Sequence, residues 1–200
     1  IIYPPMSNNP PAFNFKYSYI YDKVWHLALD KKFEAIEAHN KCIRFIKGIK
    51  KELLGLPESE IVILISKYLE VKWKSKIIDV YVVNELPISA FSKPLTIKIH
   101  KDIKLAIHTL IHEATHVIID DQKDKLINTI KYLKIKFPDE LPITRIHIIV
   151  NSVADKVFEE LYGKVENKRT TAILKKKQGL KRAYEIIDTL PIDFWKKIQK

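Results

Sequence analysis

The twenty residues DIKLAIHTLIHEATHVIIDD, Asp102 to Asp121, decide how this chain is read. Just before them, in PLTIKIH (Pro94 to His100), apolar residues alternate as in a strand; within them the period changes to that of a helix, with Asp102 where an N-cap is expected. His108, His112, His116 and Asp120 recur every four residues, so they form a polar ladder on one side of a helix that is otherwise mostly Ile, Leu, Val, Ala and Thr. A helix this apolar is expected to be buried, and its polar side chains then need partners. Core histidines satisfied by hydrogen bonds are one answer. The spacing His112-Glu113-Ala114-Thr115-His116 suggests another. Two histidines one turn apart can ligate one metal, and Glu113 between them can reach a water beside it. Zinc acidifies such a water, and the glutamate takes its proton as the water attacks a carbonyl.

A third ligand has to come from elsewhere. Cys42 is the only cysteine, so histidine and carboxylate are the available donors. Downstream, TRIHIIVNSVADKVFEELYG carries a second ladder, His147, Asn151, Asp155 and Glu159, among apolar residues. Two apolar helices with polar stripes are best explained by stripes that face one another across a metal. Asp155, closely flanked by apolar positions, is the first choice for the third ligand; Glu159 is second and His147 third. Asp120 and Asn151 are candidates to orient the histidines. His108, His147, Tyr162 and Tyr184 are candidates to steady an oxyanion.

Working outward, Asp22 to Leu54 has helical spacing and predicts one long helix or two short ones, ended by Gly55 and Pro57. Glu58 to Trp73 is ambiguous, because IVILI suits either a buried strand or a short helix. Lys76 to Asn84 reads as a strand and Asn84 to Pro94 as a turn-containing connection. Helices are predicted over Lys123 to Lys136, from Pro142 to Leu161 with Gly163 as the stop, and from Gln178 to Asp188, with a basic connection before the last. Helices, a small sheet and further helices make the class α+β. With 200 residues, 4 Gly and no linker, the chain reads as one domain over residues 16–200, preceded by a proline-rich arm or tail over residues 1–15. No uncharged run is long enough for a membrane span and no signal peptide is evident, so a cytoplasmic location is expected.

These residues resemble the zincin metallopeptidases, whose signature is His-Glu-x-x-His. The resemblance covers roughly Leu95 to Leu161 and implies a zincin-like fold, a small mixed sheet packed on the active-site helix with helices around it. It implies Zn2+ as cofactor, a peptide or protein as substrate, His112, His116 and a downstream residue as ligands, and Glu113 as base. Asn151-Ser152-Val153-Ala154-Asp155 resembles an Asn-x-x-x-Asp pattern of small metallopeptidase-like proteins, where the aspartate is the third ligand. The gluzincin branch favours Glu159, and the SprT-like branch, which works on DNA-bound proteins, favours His147. The resemblance also makes the strand before the active-site helix, Leu95–Ile99, the sheet edge that lies along a bound peptide. The metzincin extension is absent, since His116 is followed by VIIDDQ.

The formal charge of +11 invites a nucleic-acid reading. Arginine occurs only at 44, 145, 169 and 182, and the Lys- and Ile-rich, Gln-poor composition is of the kind associated with hyperthermophiles. Lys164, Lys168, Arg169, Lys175, Lys176, Lys177, Lys181 and Arg182 concentrate the charge. A nucleic-acid surface there, with Tyr184 or Trp195 stacking on bases, is the alternative function; a solvated lysine face is favoured over it.

Overall fold

The computed structural model describes residues 10–55, 58–191 and Phe194. The readings placed on residues 1–9, Pro57 and Trp195 lie outside the described residues. In chain order the elements are β1 (Ala12–Tyr17), α1 (Tyr19–Ala28), α2 (Ala35–Leu53), α3 (Glu58–Leu69), β2 (Ile77–Val83), β3 (Ala90–Ser92), β4 (Leu95–Lys98), α4 (Ile103–Asp121), α5 (Ile127–Lys136), α6 (Pro142–Leu174) and α7 (Gln178–Ile187). The expected α+β class is what the structure has, with seven helices and one mixed sheet among the described residues. No helix among them is long and apolar enough to cross a membrane.

Phe13 and Phe15 stand opposite Ile78 and Val80 in the parallel pair β1 and β2, and Val82 stands opposite Ile97 in the parallel pair β2 and β4. Residues 12–15, read from sequence as part of an arm, therefore belong to the sheet. The segment 84–94 is more than a connection: β3 turns back at the cis Lys93–Pro94 peptide and pairs antiparallel with β4, giving the order β1-β2-β4-β3. This corrects the edge assignment. Leu95–Lys98 lies inside the sheet, and the edge beside α4 is the short strand Ala90–Ser92.

The stretch from Asp22 to Leu54 resolves into α1 and α2. The ambiguous IVILI is helical: Ile61, Val62, Leu64, Ile65 and Leu69 are all buried and fall on one face of a helix, whereas a strand would set Val62 and Leu64 opposite Ile61 and Ile65. Asp22 and His26 of α1 are buried against the end of β2, where Asp22 Oδ1 accepts the Asn84 N–H at 2.9 Å.

Pro142 opens α6 as predicted, and its first helical segment stops at Gly163 as predicted; the departure from expectation is that a second helical segment follows directly. Gly163 takes φ 82° and ψ 164°, a region almost reserved for glycine, and the helix resumes beyond it to Leu174. The segment read as a basic connection is thus largely helical, held by burial of Thr170 and Leu174. We expect Gly163→Ala to cost about 1–3 kcal/mol in chemical denaturation. Gly55→Ala, where an added Cβ meets nothing within 4 Å and φ is not positive, should stay within about 1 kcal/mol of wild type.

Candidate metal centre

Helix α4 lies between α6 on one side and α2, α3, β3 and β4 on others, and Ile107, Leu110, Ile111, Ala114 and Ile118 are fully buried. Asp102 caps it, accepting the Leu105 N–H at 3.0 Å through Oδ1. Its Oδ2 lies 2.8 Å from Arg169 Nη1, which pins the start of α4 to the part of α6 beyond Gly163.

On the face toward α6, His112 and His116 meet His147. The ring centroids are 4.9 Å apart for His112 and His116, 5.3 Å for His112 and His147, and 5.1 Å for His116 and His147. One ring nitrogen from each lies within 4.8 Å of the others, so the three can share one ion. The donor chemistry fits. Burial holds His112 well below the usual imidazole range, and the neighbouring imidazoles add to the effect. Burial likewise lowers His116 to about 4, and lowers His147, with the Gly179 backbone partly offsetting it. One buried and two half-buried imidazoles, each held below its ordinary range, present neutral nitrogen lone pairs, the form that metals bind.

Glu113 is 8% exposed and lines a cavity of about 520 Å³ with His112 and His147. Burial raises its pKa to about 7, and the positive charge of Lys177 opposes the rise. A carboxyl group poised near neutrality suits proton transfer in both directions. The cavity is also lined by Ser89 and Ala90 at the sheet edge and by Lys177 and Gly179 at the start of α7.

The first-choice third ligand is placed differently. Asp155 is not in the cluster; its Oδ1 accepts hydrogen bonds from His108 Nε2 at 2.8 Å, Thr171 Oγ1 at 3.2 Å and Tyr184 OH at 3.1 Å. It ties the first half of α6 to α4, to the second half of α6 and to α7. Glu159 shares with Asp155 a separate cavity of about 210 Å³, away from the imidazoles. The imidazole that meets His112 and His116 belongs to His147, the third choice. The reason is direction. The two helices run antiparallel, so His108 faces Asp155 and His116 faces His147.

Among the remaining candidates, Asp120 lies near enough to His116 to favour its proton and pairs with Lys93 at 3.0 Å. Asn151 is fully buried, with neither amide atom hydrogen-bonded among the described residues. His108 lines the main cavity and bonds Asp155 through Nε2, while its buried Nδ1 has no hydrogen bond among the described residues. Tyr184 is buried on Asp155, and Tyr162 packs on Phe158 with Lys104 over its ring, so neither lines this cavity. Lys177 was not singled out from sequence, because nothing separated it from the seven other basic residues of its segment.

In metal titrations followed by elemental analysis we expect one ion per chain, with His147→Ala weakening binding at least about a hundredfold, as for His112→Ala and His116→Ala. Asp155→Ala should lower stability by about 2–3 kcal/mol, since it leaves buried donors unpaired, yet keep the metal. Retention by His147→Ala with loss in Asp155→Ala would reverse this assignment of the third ligand.

No family model, no curated protein and no solved structure matches the chain, so the functional reading rests on how these side chains are arranged.

Proposed function

We propose that this chain is a zinc-dependent metallopeptidase of the zincin type, hydrolysing peptide bonds. The observation that carries this reading is that Glu113, raised toward neutrality by burial, opens into the same cavity as two of the three clustered imidazoles. His112, His116 and His147 would hold the ion. Bound there, zinc supplies Lewis acidity that acidifies a water and polarises a carbonyl. Glu113 would accept the water proton on its carboxylate as the water attacks and pass it to the leaving amine.

The substrate platform falls to β3. Its outer side carries no further strand among the described residues, and Ser89 and Ala90 line the cavity. An extended peptide can add to such an edge through backbone hydrogen bonds.

The second reading is a peptidase that acts on DNA-bound proteins. It is favoured by a third histidine, the ligand type that the sequence resemblance ties to the SprT-like branch. The basic segment supports it less. Arg169 pairs with Asp102 and Glu166, Lys175 with Asp188, and Arg182 with Glu140 and Glu185, while Tyr184 is buried and not free to stack on bases.

We expect the zinc-loaded protein to cleave an unstructured protein such as casein, and Glu113→Gln to retain zinc while losing at least about a hundredfold in rate. Full activity in Glu113→Gln, or none in zinc-loaded wild type on a broad peptide library, would reject the peptidase reading. Tight, salt-dependent binding to duplex or single-stranded DNA that falls on neutralising Lys175, Lys176 and Lys177 would favour the second reading over the first.

A further inference from the structure

Lys177 stands apart from the basic residues around it. It is the N-cap residue of α7, half-buried, and lines both the main cavity and a neighbouring one of about 320 Å³. Lys175 and Arg182 have carboxylate partners, whereas Lys177 Nζ is given only a neutral one among the described residues, donating to Ser89 Oγ at 2.8 Å. That bond crosses from α7 to the segment leading into the edge strand β3. A partly desolvated ammonium with no ion pair is costly, and an anionic ligand relieves the cost.

The end of α7 adds to this polarity. Gln178 and Gly179 line the cavity, no acidic residue lies in the first turn and no side chain caps it, so the positive end of the helix dipole faces the same space. Glu113 is the acidic group whose charge Lys177 feels, and it lines the same cavity beside His112. The cavity therefore holds both a base, next to His112, and a cation, tied to Ser89 beside the sheet edge.

From this arrangement we infer that Lys177 selects the substrate, holding a carboxylate of a peptide laid along β3 while the scissile bond lies toward Glu113. The inference rests on the peptidase reading and narrows it to acidic peptides or to peptide C-termini, which present the same group. A lysine suits this role as a mobile point charge that can leave the Ser89 hydroxyl for a carboxylate.

The test separates binding from turnover. A peptide pool is made in four versions, with Glu or Gln at its variable acidic position and with a free or amidated C-terminus. Each version is equilibrated by dialysis against zinc-loaded Glu113→Gln protein and read by mass spectrometry. We expect peptides with a carboxylate to be retained about tenfold or more over their uncharged counterparts, the worth of one charge-assisted hydrogen bond. Retention that requires the free C-terminus would identify the chain end as the group held; retention by Glu peptides with amidated ends would identify the side chain. Adding Lys177→Gln should abolish the preference, Lys177→Glu should reverse it toward basic peptides, and Lys177→Arg should keep it. Equal retention of acidic and neutral peptides, or a preference that survives Lys177→Gln, would overturn the inference. A charge preference in dialysis without cleavage by wild type would instead count against the peptidase reading alone. In turnover, a Lys177→Gln loss equal for every substrate would place the lysine in the chemistry and not in selection, and would also overturn it.

Discussion

Antiparallel packing of α4 against the first half of α6 determines what each buried polar side chain meets. Each helix buries a broad apolar face, so the polar side chains that share that face must satisfy each other there or bear the cost of desolvation. Running in opposite directions, they place His108 on Asp155 at one end and His112 and His116 around His147 at the other. A parallel arrangement would have brought His112 and His116 toward Asn151 and Asp155. The change of direction turns a His-His-carboxylate expectation into a cluster of three imidazoles, with Asp155 used to hold helices together.

That second use of Asp155 shapes the cavity. One carboxylate oxygen gathers hydrogen bonds from α4, from α6 beyond Gly163 and from α7. Gly163 makes this possible, because its positive φ redirects α6 so that Thr171 returns to Asp155 and Arg169 to Asp102. Helix α7 then folds back with its N-terminal end over the imidazoles. The helix stop at Gly163, legible in the sequence, is also the bend that brings Lys177 and Gly179 to the cavity.

Charge follows the same logic. The basic segment looks continuous along the chain, yet folding distributes it: Arg169, Lys175 and Arg182 find acidic partners, and Lys177 turns to the cavity mouth. The high lysine content therefore does not form a uniform polyanion-binding stripe. The lysine that reaches the cavity, Lys177, is one that composition could not distinguish from its neighbours.

The amino-acid sequence by itself determined the α+β class, the helical period of 102–121, the Asp102 cap, the Pro142 start of α6 and the pairing of His112 with His116 around Glu113. These depend on local spacing and capping, which a few consecutive residues encode. The tertiary structure alone decided that His147 and not Asp155 completes the cluster, that Ala90–Ser92 and not Leu95–Ile99 forms the sheet edge, and that a second helical segment follows the Gly163 stop and folds onto α4. Each of these depends on the direction in which two distant segments pack. Periodicity says which face of a helix is buried and not which partner covers it, so a ladder repeating every four residues is compatible with either direction until the chain is folded.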